Sequence, residues 1–165
     1  MKSTDKNIGL YDIDFNGENP LISEQGEMLT DGLKDWIKKI DSIGNTVIIT
    51  DPYLFHSDNK EKYKTEIKNV LLSLKAKKII WISSKNPKDL ILENDVKTLL
   101  SENQCDYERK NIKEHDRYWI CVEKNKGFVM GTSANGFEKY TTYILEQPED
   151  DVKKLLAKWK VCGGV

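Results

Sequence analysis

His115 to Gly136, HDRYWICVEKNKGFVMGTSANG, is the stretch whose reading decides the fold. Two apolar runs flank an Asn125-Lys126-Gly127 turn signal, which predicts antiparallel strands joined by a hairpin over Lys124 to Gly127. Side chains two apart share one face of a strand, so His115 and Arg117 are expected to point the same way, as are Ser133 and Asn135 on the second strand. An imidazole, a guanidinium, a hydroxyl and an amide then converge on one anion. Trp119 and Cys121 share that face and pack beneath the site. Tyr118, Ile120 and Val122 belong to core on the other face, to which Asp116 also points, so Asp116 is not counted as a base.

Outward from the hairpin the pattern alternates strand and helix. Leu29, Leu33, Trp36, Ile37 and Ile40 fall at helical spacing, predicting an amphipathic helix near Glu27 to Ser42 with Gly44 as its stop. Thr46 to Thr50 is a β-branched run of the kind a buried strand shows, ended by Pro52. Asp58 with Glu61 reads as a capping box, followed by the stripe Tyr63, Ile67, Val70, Leu71 and Leu74. The lysine-rich opposite side of that helix is interleaved with Glu61 and Glu66, which favours a plain solvated face. Lys78 to Ser84 is a second buried strand, and Asn86-Pro87 opens a helix carrying Leu92, Val96, Leu99 and Leu100. Further strands are expected at Ile8 to Asp14, Cys105 to Ile112 and Thr141 to Glu146, with a C-terminal helix opened by Pro148. Strand, helix, strand, helix implies parallel strands joined by right-handed crossovers, hence an α/β fold with a mixed sheet flanked by helices on both faces.

Composition narrows the function classes. The 165 residues are read as a single domain, 1–165, large enough for an ordinary core. Lysine and arginine number 26 against 27 acidic residues, which excludes a general nucleic-acid coating protein but leaves room for a local basic groove. Cys105, Cys121 and Cys162 lack metal-ligand spacing, so reduced thiols in a cytoplasmic protein are expected, with no metal site and no cofactor. No stretch approaches the ~20 apolar residues of a membrane span, and the start has no signal-peptide apolar region.

His115-x-Arg117 followed by Gly131-Thr-Ser133-Ala-Asn135 resembles the phospholipase D superfamily, in which His-x-Lys and Gly-Ser-x-Asn on neighbouring strands cut phosphodiesters without metal through a phosphohistidine. The resemblance departs from the pattern in three places: Arg117 stands for the lysine, Val122 for an aspartate, and Thr132 is an extra residue. It implies a phospholipase D-like fold, with His115 as nucleophile and proton donor, Arg117 clamping phosphate oxygens, and Ser133 and Asn135 donating to the growing charge. Larger relatives carry two histidine motifs in one chain. This chain has one, since His56 lies in an unlike Phe-His-Ser-Asp segment, so the shared chemistry implies a homodimer in which two copies of His115 face each other. Asp51 and Tyr53, just past a strand end, are candidate substrate-binding residues lining the cleft. For His56 a turn role is the plainer reading.

Three function classes stay open. The first is a metal-independent phosphodiesterase, specifically a nuclease acting at a dimer-shared site. The second is a catalytically inactive phosphate- or nucleic-acid-binding module. The third is a subunit, for instance of a defence system, that works through a protein partner.

Overall fold

The computed structural model describes residues 21–23 and 26–161. The expected strand at Ile8 to Asp14 and residue Cys162 lie outside them. In chain order the elements are β1 (Leu21–Ser23), α1 (Leu29–Ile40), β2 (Thr46–Thr50), α2 (Glu61–Ser73), β3 (Lys78–Ile82), α3 (Leu90–Glu102), β4 (Asp106–Lys110), β5 (Arg117–Cys121), β6 (Lys126–Met130), β7 (Thr142–Gln147) and α4 (Glu149–Val161). All seven strands form one sheet in the order β1-β7-β6-β5-β2-β3-β4. β2, β3 and β4 run parallel, as the strand-helix alternation predicts, while β5, β6, β7 and β1 continue the sheet antiparallel. The sheet is mixed because a hairpin needs only a short loop, whereas each parallel step needs a helical crossover.

β2 is an interior strand, set between antiparallel β5 and parallel β3, and its β-branched run is buried on both faces. Val47 and Ile49 join the larger core with Leu33, Ile37, Ile67, Val70, Val96 and Trp119, which packs α1, α2 and α3 on one face. Ile48 points the other way, into a smaller core with Ile80, Ile82, Ile120, Leu156 and Trp159 under α4. Helices therefore cover both faces, three on one and one on the other. Gly32 lets α1 approach the 137 position closely: a Cβ there would sit 2.3 Å from the Phe137 ring. Tens of apolar side chains are buried in this way, each contributing about 1.5–3 kcal/mol for a Val, Leu, Ile or Phe.

Local expectations fail where a turn is decided by backbone geometry. α1 ends at Asp41, in the left-handed region at φ 55, and Gly44 follows in the next turn. The Asp58–Glu61 capping box does not form, because Asp58 and Asn59 both take positive φ and put Lys60 at the cap with no side-chain bond. α3 starts later than Asn86-Pro87, at Asp89, whose carboxylate accepts from the Leu92 N–H at 2.9 Å. The hairpin loop is Val122 to Asn125, two residues earlier than the Asn-Lys-Gly signal places it, with Asn125 at φ 51 and Lys126 already paired with Cys121.

Candidate functional site

The carboxyl ends of β2 and β3 share one edge of the sheet with the start of β5 and the end of β6, because β5 runs antiparallel to β2 and β6 antiparallel to β5. That edge gathers Asp51, Tyr53, Lys85, Lys88, His115, Arg117 and the 131–135 segment, and it is where α/β sheets bind ligands.

At its floor lies Asp51, fully buried. Its carboxylate accepts from the Ser133 hydroxyl at 2.6 Å, the Ala134 N–H at 2.8 Å and the Tyr53 N–H at 3.0 Å. Its carbonyl accepts from the Trp81 indole N–H at 2.8 Å. Burial pushes the carboxyl above the ordinary aspartate range, opposed by these donors and by the nearby Arg117 charge. Asp51 is therefore the junction of three separate stretches of chain. Asn135 adds a fourth tie, its amide donating to the His56 carbonyl at 3.0 Å.

The strand assignments for Ser133, Asn135 and His115 require correction. β6 ends at Met130, and Ala134 to Gly136 form a single 3-10 turn with Ser133 at its cap. Two residues apart on such a turn do not share a face as they do on a strand, and the donors of Ser133 and Asn135 are aimed at Asp51 and His56 instead. β5 starts at Arg117, so His115 lies in the irregular segment before it. Trp119 and Cys121 do alternate with Tyr118 and Ile120 as expected, entering the larger and the smaller core respectively.

His115 and Arg117 are nevertheless firmly placed. Thr50, buried at the end of β2, donates its hydroxyl to the Asp116 carbonyl at 2.7 Å and accepts from the Tyr118 N–H at 2.8 Å, extending the β2–β5 ladder past its last paired residue. On the other side Glu114 is buried and accepts from Lys158 at 2.8 Å, from the Trp159 indole at 3.3 Å and from the His115 N–H at 3.1 Å, fixing the segment to α4. Although burial raises the Glu114 carboxyl, those donors and the Lys158 charge hold it below the ordinary glutamate range. Between these anchors the His115 side chain is exposed, and its ring makes no hydrogen bond or ion pair with any described residue.

Arg117 is half-buried, and its Nε is fully shielded without a hydrogen-bond partner. No carboxylate lies within ion-pair distance of it among the described residues, although its charge is felt at Asp51 and Tyr53. A guanidinium offers five donors in a planar fork, so a partnerless one at a sheet edge is a ready anion clamp. Two lysines that the sequence reading passed over join it. Lys85 contacts the Tyr53 hydroxyl and lies 4.0 Å from the centre of the Tyr53 ring. Its hydrogen bond and charge, with the charges of Arg117 and Lys88, hold the Tyr53 phenol below its usual range. Both lysines sit in the loop after β3, and a rule that looks for cations past the ends of parallel strands finds them. The His56 ring packs edge-on against Tyr53 with centroids 5.1 Å apart, so His56 is part of the wall under this rim. Among the described residues no cluster of His, Cys, Asp and Glu is arranged to hold a metal ion, and no helix is long and apolar enough to cross a membrane. Cys105 and Cys121 are buried and free.

No protein-family model matches the chain, and no curated protein matches its sequence. Matches are found among solved structures. NucT from Helicobacter pylori matches with a TM-score of 0.52 at 16% identity, over 86% of this chain and 93% of that one. TrmBL2, an archaeal chromatin protein whose structure shows a novel mode of DNA binding, matches with a TM-score of 0.47 at 13% identity, over 87% of this chain. The chain spans about half of TrmBL2, 51% of its length. The class defined by the fold is thus an α/β domain with a mixed sheet and four helices, compatible with the phospholipase D-like fold.

Proposed function

We propose that this chain is a phosphodiester-binding domain of the phospholipase D-like class, with nucleic acid as its ligand. The observation that carries the reading is the guanidinium of Arg117, held at the sheet edge between Thr50 and Glu114 with no acceptor among the described residues. Lys85 and Lys88 add charge beside it. Asp51, Ser133 and Asn135 act in this reading as positioning residues that hold the 51–56 and 131–135 segments in place. The fold likeness to NucT is in keeping with a nuclease-like or nucleic-acid-related role. Binding of labelled single-stranded DNA and RNA, with Arg117→Gln as the comparison, tests it: the variant is expected to bind about tenfold more weakly, in line with the ~1–3 kcal/mol cost of losing a bidentate arginine contact. Equal binding would refute it.

A second reading, metal-independent hydrolysis, is favoured by the exposed ring of His115, two residues before Arg117 and without a partner among the described residues. A neutral His115 imidazole would attack phosphorus as the phosphorus–oxygen bond to the leaving group breaks. The protonated His115 of a second copy would give that oxygen its proton. The second imidazole, now neutral, would then take a proton from water as that water attacks phosphorus and frees the first. Digestion of labelled substrate in chelator, abolished by His115→Ala, supports this reading. Activity of wild-type protein mixed with His115→Ala protein should then fall faster than the wild-type fraction, and a proportional fall would exclude the shared site.

A further inference from the structure

Residues 111–116, which lead into β5, belong to no helix or strand. They carry the exposed His115 all the same, and Arg117 follows as the first residue of β5. A segment without ladder hydrogen bonds holds its shape only where side chains tie it down. One tie is Thr50, reaching across from the end of β2. The other comes from the last turn of α4. Lys158 donates to Glu114 Oε2 at 2.8 Å and the Trp159 indole N–H donates to the same oxygen at 3.3 Å, while Glu114 Oε1 takes the His115 N–H at 3.1 Å. The fully buried Trp159 ring also meets the Tyr118 ring, with centroids 6.2 Å apart. α4 therefore grips the chain at residues 114 and 118, on either side of His115 and Arg117.

The sign of the Glu114 charge is informative. A carboxylate beside a rim that takes phosphate opposes that binding by Coulomb repulsion, so its charge does not serve the ligand. Its burial is unfavourable as well: at 8% exposure the carboxylate has left water, and an apolar side chain of like volume is often at least as stable in such a place. What an apolar residue lacks is two acceptors. One Glu114 oxygen is held by α4 and the other holds the backbone of His115, which joins the helix to the rim through a single side chain.

We infer that Glu114 is the positioning residue of the rim, through which the C-terminal helix α4 sets where His115 and Arg117 stand. The inference rests on the phosphodiester-binding reading above and deepens it, because the competence of that site then depends on how α4 is docked.

The test uses the full chain and a labelled single-stranded oligonucleotide titrated across a salt series, with urea unfolding measured on every variant. Glu114→Gln removes a negative charge, which by electrostatics alone strengthens the binding of a polyanion. Loss of position acts in the opposite direction. The variant is expected to bind about tenfold more weakly, with a salt slope reduced by roughly one as Arg117 moves off its phosphate. Lys158→Met breaks the same clamp from the α4 side. When both residues act through their shared bond, the double variant Glu114→Gln/Lys158→Met binds no more weakly than the weaker single variant, whereas a Lys158 that meets the strand directly gives additive losses. Amide hydrogen exchange on Lys158→Met is a second readout: exchange at His115 should quicken while Ile120 in β5 stays protected, and this holds the test open where Glu114→Gln does not fold. Unchanged or tighter binding by folded Glu114→Gln, additive losses, or unchanged exchange at His115 overturns the inference. If Arg117→Gln weakens binding while folded Glu114→Gln does not, this inference fails and the phosphodiester reading stands. If Arg117→Gln binds as wild type does, both fail.

Discussion

Two regions of the same sheet edge differ in how their polar groups are used. Around Asp51 every strong polar group is engaged: the carboxylate has its three donors, the Ser133 hydroxyl and Asn135 amide have acceptors, and Asp51, Ser133 and Ala134 are buried. On the rim, Arg117 has no acceptor and the exposed His115 ring no partner among the described residues. Buried polar groups that are all satisfied rigidify a fold, while cations kept apart from any carboxylate are held ready for an anion. Under the proposed function the floor serves stability and the rim serves binding, and substitutions are expected to separate the two.

The largest effect is expected at the floor. Asp51→Ala leaves the Ser133 hydroxyl and the Ala134 and Tyr53 N–H groups buried without acceptors. Urea unfolding should show a loss of about 3–5 kcal/mol, the range for breaking a buried, hydrogen-bonded charge network. Thr50→Val comes next. The isosteric change removes both bonds between β2 and the 116–118 segment, and a loss of about 1–2 kcal/mol is expected together with weaker oligonucleotide binding, because Arg117 loses its anchor. Loss of stability with binding unchanged would show that Thr50 does not position the rim.

A smaller effect lies in the pH dependence. The folded Asp51 pKa is raised above 3.8, so the folded state binds the proton more tightly than the unfolded chain. Its contribution to stability is greatest in acid and declines as pH rises from about 4 through the folded value, at no more than about 1.4 kcal/mol per pH unit for one proton. Asp51→Asn lacks that titration. The unfolding free energy of wild type minus that of Asp51→Asn should therefore shrink from acid toward neutral pH, and a difference that grows instead would contradict the buried, desolvated carboxylate.

Helix and strand spacing made most of this fold legible in the sequence. The stripe Leu29, Leu33, Trp36, Ile37 and Ile40 forms the buried face of α1, and the run at Thr46 to Thr50 forms the buried interior strand β2. Helix starts were less legible, because positive φ at Asp58 and Asn59 is decided by the turn and not by a capping pattern. The candidate site was legible as a list of residues but not as a geometry. Ser133 and Asn135 read as strand neighbours of His115 and Arg117, yet the chain leaves β6 at Met130 and turns their donors inward. Nothing in a linear spacing tells a hydroxyl aimed at a ligand from one aimed at a buried carboxylate 82 residues away. Lys85 and Lys88 were overlooked for a similar reason: they approach Tyr53 only once β3 lies beside β2.

The most direct test of the division between floor and rim sets Arg117→Gln beside Ser133→Ala, with oligonucleotide affinity across a salt series and urea stability measured on both. Arg117→Gln is expected to keep wild-type stability within about 1 kcal/mol while affinity falls about tenfold and the salt slope drops by about one. Ser133→Ala, which leaves Asp51 short of one donor, is expected to lose about 1–3 kcal/mol of stability and to bind normally wherever it is folded. Arg117→Gln binding as tightly as wild type, with an unchanged salt slope, would contradict the account.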